Sequence, residues 1–260
     1  MSIKITIVMA IYNPNIEFLE QQIKSIINQT KKPDQIIFID DCSENYSKVF
    51  KTIKKYLSKT RVRYKIYRNE INKGVNYTFA RSYELLNRGI FFFSDQDDIW
   101  YENKIEIIIK KYYELSCPFL IINDCLFYKN GKIIHTTSKC KTIKNITGSN
   151  KNFVAGCCSA IDSRILKYVK SGVFKFLNYD DQLHAIADLL NSRFVYNEPL
   201  QLYRRHEKNV SQSIGNFPQE HVNYLRSTTN LIINNMKEFT FYNYVRMSNI
   251  DLASLLKSLN

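Results

Sequence analysis

Three carboxylates crowd into four residues of Phe91-Phe92-Phe93-Ser94-Asp95-Gln96-Asp97-Asp98-Ile99-Trp100, directly after an apolar run. Packed so closely, they repel one another unless a cation neutralises them. Hard oxygen donors select Mg²⁺ or Mn²⁺ over zinc, and Mg²⁺ characteristically divides its shell between one or two carboxylates and substrate phosphates. The structural alternative is an acidic turn in which Asp98 caps a helix beginning near Tyr101.

A second acidic pair, Asp40-Asp41, closes the apolar run Ile36-Ile37-Phe38-Ile39 and is followed by Cys42-Ser43. An acid at the carboxyl end of a strand in an open α/β sheet accepts hydrogen bonds from a nucleotide's sugar or base; a cap for the next helix is the bland alternative. The third pair stands in Asn178-Tyr179-Asp180-Asp181-Gln182-Leu183, at the start of an expected helix whose dipole stabilises a carboxylate. Last comes Tyr203-Arg204-Arg205-His206-Glu207-Lys208-Asn209-Val210-Ser211. Its guanidinium groups and imidazole suit a diphosphate, and His206 is also able to ligate a metal.

These groups are useful only if the chain brings them together. Ile3 to Tyr12 is short, β-branched and closed by Asn13-Pro14, which predicts a buried strand. Apolar residues at helical spacing predict a helix over Phe18 to Ile27. The alternation continues with a strand Gln35 to Ile39, a helix Tyr46 to Leu57, a strand Val62 to Tyr67, a helix Asn76 to Leu86 and a strand Ile90 to Phe93. Strands separated by helices imply a doubly wound α/β fold with a mainly parallel sheet. Ligands bind beyond the carboxyl ends of such strands, which is where Tyr12, Asp40, Asp41, Asn72 to Gly74 and Ser94 to Asp98 fall.

Beyond Tyr101 the pattern loosens to a helix Lys104 to Leu115, a strand Phe119 to Phe127 and a hairpin at Asn130-Gly131, a pair that favours a type I′ turn. A helix Asp180 to Leu190, a short strand Phe194 to Tyr196 and helical segments after Pro218 complete the expected order. No repeat or low-complexity tract marks a linker. The expected organisation is one domain over residues 1–215, with a nucleotide-binding half (1–100) and an acceptor-side half (101–215), then a helical extension over 216–260.

The formal charge of +13 is unevenly spread: Asn45 to Asn69 contains no acid, and neither does Cys125 to Ile161. Such stretches attract polyanions, including phosphorylated substrates and anionic membranes. The six cysteines form no C-x-x-C pair and have no histidines at zinc spacing, so they are expected to be reduced. Only Ile3 to Tyr12 of the opening segment is strongly apolar, which fits neither a signal peptide nor a membrane span. The expected location is the cytosol, with peripheral contact to the inner face of the cell membrane.

Taken in order, Val8-Met9-Ala10-Ile11-Tyr12-Asn13, Ser25-Ile26-Ile27-Asn28-Gln29-Thr30, Ile39-Asp40-Asp41-Cys42-Ser43, Asn72-Lys73-Gly74-Val75 and Phe93-Ser94-Asp95-Gln96-Asp97-Asp98-Ile99-Trp100 resemble the family 2 glycosyltransferases, inverting enzymes with a GT-A fold. Gly156-Cys157-Cys158, Tyr179-Asp180-Asp181 and Tyr203-Arg204-Arg205-His206 extend the resemblance more loosely. It implies that Tyr12 and Asp41, with Ala10, Asp40, Asn72 and Gly74 beside them, hold the nucleotide. It puts a Mn²⁺ or Mg²⁺ ion at Asp97, with Asp95 nearer the ribose or diphosphate and His206 as a further ligand. Arg204 and Arg205 are assigned to the diphosphate, and Asp180 to the catalytic base with Asp181 as the alternative register. The Ser-Asp-Gln-Asp-Asp-Ile-Trp spelling is similar to a branch containing rhamnosyltransferases of bacterial surface polysaccharides.

The implied partners are a nucleoside-diphosphate sugar and a saccharide or lipid-linked acceptor. Two other classes fit less well. A sugar nucleotidyltransferase should carry a Gly-rich basic loop after the first strand, yet Met9 to Asn15 holds no Gly, Lys or Arg. A nucleic-acid-binding protein would explain the basic stretches, but no helix-turn-helix, zinc or aromatic RNA-binding signature accompanies them.

Overall fold

The computed structural model describes residues 3–135, 141–144, 150–153, 155–170, 178–207 and 209. Its first half runs β1 (Ile5–Ile11), α1 (Ile16–Ile27), β2 (Gln35–Asp40), α2 (Tyr46–Leu57), β3 (Arg63–Arg68), α3 (Gly74–Leu85) and β4 (Ile90–Ser94). Then follow β5 (Ile99–Trp100), α4 (Lys104–Glu114), β6 (Leu120–Lys129), β7 (Lys132–His135), β8 (Lys141–Lys144) and β9 (Asn150–Phe153). A 3-10 turn over Gly156–Cys158, β10 (Ser159–Asp162), a 3-10 turn over Ser163–Ile165, α5 (Leu166–Lys170), α6 (Tyr179–Leu189) and β11 (Arg193–Arg204) complete the described order.

The main sheet has the order β3-β2-β1-β4-β10-β6-β11-β5, with β7 on β6, while β8 and β9 pair separately. β3, β2, β1 and β4 are mutually parallel, as the strand-helix alternation predicts. The other half is mixed. β10 runs antiparallel to both β4 and β6, β11 is parallel to β6, and β5 is antiparallel to β11. The sheet is therefore less parallel than the sequence pattern suggests, because the chain re-enters it through β10 without a crossover helix.

Alternation along each strand builds two cores. Ile90 and Phe92 face α1, α2 and α4, where Ile7, Met9, Ile23, Ile53 and Ile108 pack. Phe91 and Phe93 face the other side, with Val8, Ile39, Phe79, Tyr83, Leu183 and Ile186. Phe92 is fully buried, and truncation to Ala would cost about 3–5 kcal/mol. Asn15 caps α1 by accepting from the backbone N–H groups of Glu17 and Phe18, so the chain turns sharply after β1.

α2 has the bounds expected from its pattern, and Asn130 and Gly131 take φ of 49° and 80°, as a type I′ turn between β6 and β7 requires. β11 is much longer than the expected Phe194 to Tyr196. It continues through register shifts on both sides of Pro199, which removes a ladder donor and disguises the strand in sequence. The expected extension over 216–260, the helical segments after Pro218, and Lys208, Val210 and Ser211 lie outside the described residues.

Candidate active site

The ends of β1 and β4 are locked by the middle residue of Asp95-Gln96-Asp97. The Gln96 Oε1 accepts from the Tyr12 N–H at 2.9 Å and its Nε2 donates to the Tyr12 carbonyl at 3.1 Å. This two-way bond fixes the acidic loop beside Tyr12, whose ring stays 45% exposed at the sheet edge. Ala10, partly buried, sits two residues earlier on β1.

The pair at the end of β2 divides its labour. Asp40 is fully buried and turned inward, accepting from the Ser43 N–H at 2.9 Å and pairing with Arg68 Nε at 3.4 Å. Asp40, expected among the nucleotide-binding residues, makes these contacts with the loop that follows β2 and with the end of β3. Asp41 accepts from Asn69 Nδ2 at 2.6 Å, from the Lys73 N–H at 2.9 Å and from the Gly74 N–H at 2.7 Å. Asn72 Oδ1 also accepts from the Gly74 N–H, at 3.1 Å. Asp41 thereby clamps the start of α3, where Asn72 and Gly74 lie exposed on the ligand edge.

The third acidic group is organised by the far end of β11. Asp98 is fully buried, its two oxygens accepting from Gln201 Nε2 at 2.9 Å and from the Arg204 N–H at 3.1 Å. It does not cap α4, whose N-cap Asn103 makes no side-chain bond. Arg204 Nε donates to the Asp97 carbonyl at 2.7 Å, its Nη2 donates to Gln21, and its guanidinium lies 4.2 Å from the Phe18 ring centroid. Arg204, expected at a diphosphate, is only 6% exposed and braces the loop through these contacts. Arg205 is half-buried next to it, its N–H donating to the Tyr128 carbonyl at 2.8 Å. His206 Nε2 lies 2.7 Å from Asp97 Oδ2, with both side chains partly exposed.

Donor chemistry separates these groups as cation ligands. Two ligands at right angles, each about 2.1 Å from a cation, stand about 3 Å apart, close to the Asp97–His206 separation. A carboxylate and an imidazole that are both partly exposed and in contact fit a Mg²⁺ or Mn²⁺ shell completed by phosphate oxygens. Asp95, Asp98 and Cys157 also gather their oxygen and sulfur atoms within 4.8 Å. Asp98 is committed to Gln201 and Arg204, however, and the hydrogen bond that the Cys157 thiol donates to Cys158, together with burial, pushes that thiol well up. Sulfur is a soft donor that a hard cation does not favour, so Asp95 is the better suited of the trio.

The turn Gly156–Cys158 connects this loop to the last acidic pair. The Gly156 N–H donates to Asp180 Oδ2 at 3.1 Å, and Asp180 Oδ1 accepts from the Asp181 N–H at 3.1 Å. Asp181 is turned into the protein, accepting from Asn178 Nδ2 at 3.0 Å. Burial and then the neighbouring Asp180 charge push its pKa up to about 7. Tyr179 fixes the helix start: its ring stacks on Phe79 at 4.3 Å and meets Phe93 edge-on at 5.6 Å, and its carbonyl accepts from the Tyr83 hydroxyl. Asp180, half-buried, is the more accessible acid of the pair.

Residues 6–169 match the family described as Glycosyl transferase family 2. The chain belongs to that family. This glycosyltransferase is 29% identical over 229 residues to the dTDP-rhamnosyl transferase RfbG of Shigella flexneri, covering 77% of this chain and 72% of the relative. It also resembles S. aureus TarS 1-349 in complex with UDP-GlcNAc, with a TM-score of 0.66, 14% identity, and coverage of 98% of this chain and 70% of that one. The complex of the same protein with UDP gives a TM-score of 0.63 and the same identity. That likeness speaks for the fold, which is of the GT-A type.

Four residues of this glycosyltransferase site carry no signal in the sequence alone: Gln96, Asn69, Gln201 and Gln21. Each is an amide whose role depends on a partner far along the chain, so only the fold could reveal it.

Proposed function

We propose that the protein transfers a sugar, with inversion, from a nucleoside-diphosphate donor to a hydroxyl of a saccharide or lipid-linked acceptor in bacterial surface-polysaccharide synthesis. The observation that carries this reading is the Gly156–Cys158 turn. It holds Asp180 through the Gly156 N–H, and it lays Cys157 Sγ within 4.8 Å of the Asp95 and Asp98 carboxylates. A base and an acidic phosphate-facing loop thus share one end of the sheet.

In this reading the exposed Tyr12 ring and the Asn72–Gly74 loop clamped by Asp41 receive the nucleoside. Asp97, His206 and Asp95 would hold a Mn²⁺ or Mg²⁺ ion, which would offset charge on the departing diphosphate. Arg205 is placed to add a further positive charge there. Asp180 takes the acceptor's proton as that oxygen attacks the anomeric carbon from the face opposite the leaving group, so one C–O bond forms as the other breaks. The similarity to a dTDP-rhamnosyl transferase supports dTDP-rhamnose as the first donor to try.

A membrane-facing position for the acceptor is part of the same proposal. α2, β3 and the connection between them expose Lys48, Lys51, Lys54, Lys55, Arg61, Arg63 and Lys65. A cleft of about 660 Å³ beside them is lined by Lys4, Arg61, Arg63 and Lys65 with no carboxylate in its wall. No helix among the described residues is long and apolar enough to cross a membrane. Release of dTDP from dTDP-rhamnose in the presence of Mn²⁺, measured against a panel that includes UDP-GlcNAc, tests the reading. No release above buffer from any donor, with and without polysaccharide acceptors, would remove it.

A further inference from the structure

Lys104 opens α4 and is only 1% exposed, an expensive place for an ammonium group. A helix N-terminus repels cations, and burial draws this lysine's pKa down from its ordinary value. Among the described residues no carboxylate pairs with it directly, and Asp98 acts on it only through its charge. Its partners are the Gln201 Oε1, the Cys157 carbonyl at 3.3 Å and the face of Trp100, with the ring centroid at 3.9 Å. A methionine of similar length would fill this space without desolvating a charge, but it would leave two buried acceptors unpaired.

The three contacts lie on three different elements: Trp100 on β5, Gln201 on the paired strand β11, and Cys157 on the 3-10 turn. Gln201 on β11 passes the connection on, since its Nε2 donates to Asp98 Oδ2 at 2.9 Å and approaches Cys157 Sγ at 3.6 Å. Asp98 in turn receives the Arg204 N–H, and Arg204 Nε holds the Asp97 carbonyl. On the other side, the Cys157 carbonyl belongs to the turn whose Gly156 N–H binds Asp180. Lys104 therefore stands between the loop that faces the diphosphate and the turn that holds the proposed base.

We propose that Lys104 is a positioning residue for transfer: through Gln201 and the Cys157 carbonyl it sets the spacing between the Asp95–Asp98 loop and the turn that carries Asp180. The inference rests on the reading of Asp180 as the base, and it touches neither donor nor acceptor. Replacing the ammonium by a thioether leaves both carbonyl-type acceptors without their donor, so the turn loses its fixed distance from the loop. Misplacement of reacting groups on the order of 1 Å is enough to lower a rate by about 100-fold.

The test is dTDP-rhamnose hydrolysis with Mn²⁺, with kcat counted per dTDP-binding site by calorimetry so that unfolded protein does not enter. Lys104→Met is expected to lower kcat about 10- to 100-fold, with donor KM changed less than about threefold. Lys104→Arg, which keeps cation and donors, should recover part of that loss. A purely structural lysine would lower the melting temperature and leave kcat per site unchanged, which overturns the proposal. Should Lys104→Met yield no folded protein, Gln201→Glu decides. It keeps an oxygen for Lys104 but repels Asp98, so the Mn²⁺ concentration for half-maximal rate should rise several-fold, and an unchanged requirement overturns the proposal. If wild type itself releases no dTDP, the functional reading fails and the role of Lys104 falls with it, an outcome distinct from active wild type with active Lys104→Met.

Discussion

His206 Nε2 and Asp97 Oδ2 stand 2.7 Å apart although 109 residues separate them in the chain. The contact exists because β11 runs on past Pro199 and because Asp98 and Arg204 fasten its end to the acidic loop. An imidazole and a carboxylate so arranged are a ready pair of donors for one hard cation.

Turnover is accordingly expected to need Mn²⁺ or Mg²⁺. Asp97→Ala should abolish the response of donor hydrolysis to added Mn²⁺ while leaving the far-UV circular dichroism spectrum unchanged, since the Asp97 carbonyl still holds Arg204 and only the contact with His206 is lost. His206→Ala should raise the Mn²⁺ requirement less severely, because an imidazole is one ligand among several. Undiminished transfer in excess chelator would sink the metal assignment.

Asp181 predicts a pH signature in stability. Its folded pKa, raised to about 7, lies above the unfolded value near 3.8, so the folded state holds a proton that the unfolded state gives up between those limits. Stability from this group therefore falls as pH rises through that window and levels off above about 7. Asp181→Asn removes the penalty and keeps a partner for Asn178. Its melting temperature should exceed wild type at pH 7.5, with the gap closing toward pH 4. A gap that is constant with pH would contradict the raised pKa.

Gly156 is fixed by crowding. A Cβ there would lie 2.0 Å from the Tyr179 hydroxyl oxygen, and the Tyr179 ring is pinned by Phe79 and Phe93. Gly156→Ala should therefore lower stability by about 1–3 kcal/mol and displace the N–H that holds Asp180. Thermal melts read the first effect and donor hydrolysis the second; a variant that matches wild type in both would show that the turn has room to spare.

The basic edge carries its own expectation. Each lysine or arginine near an anionic surface contributes about 1 kcal/mol within a Debye length, so the protein should sediment with phosphatidylglycerol vesicles at low salt and be released by salt. Charge reversal at Arg61, Arg63 and Lys65 should weaken sedimentation without altering donor hydrolysis. Failure to sediment even at low ionic strength would mark these residues as ordinary solvated surface.

Much of this architecture is legible in the residues because two periodicities are strong. The Phe91-Phe92-Phe93 run alternates between the two cores, and α2 keeps its apolar stripe from Val49 through Ile53 to Leu57. β11 was hidden because Asn197-Glu198-Pro199 reads as a loop, although the chain bulges there and continues pairing with β6. Residue type alone also could not tell an inward acid from an outward one. Asp40 and Asp98 resemble Asp41 and Asp97 in sequence, and only the partners Arg68, Gln201 and Arg204 show which carboxylates are structural. Arg204 is ambiguous in sequence for the same reason, since a guanidinium suited to a diphosphate is equally suited to a carbonyl and an aromatic face.

The central claim is that Asp180 is the base of an inverting transfer, and the decisive measurement is the rate of dTDP release from dTDP-rhamnose by Asp180→Asn beside wild type and Asp181→Asn. An amide keeps the size of the side chain and an oxygen for one of its two N–H donors, Gly156 and Asp181, so the melting temperature should fall modestly and dTDP affinity should change little. General-base assistance is worth roughly 10²- to 10⁴-fold, and a loss of that size in kcat, with Asp181→Asn clearly milder, is the predicted result. Wild-type turnover by Asp180→Asn would contradict the account, and a dead Asp181→Asn beside an active Asp180→Asn would move the base one residue along α6.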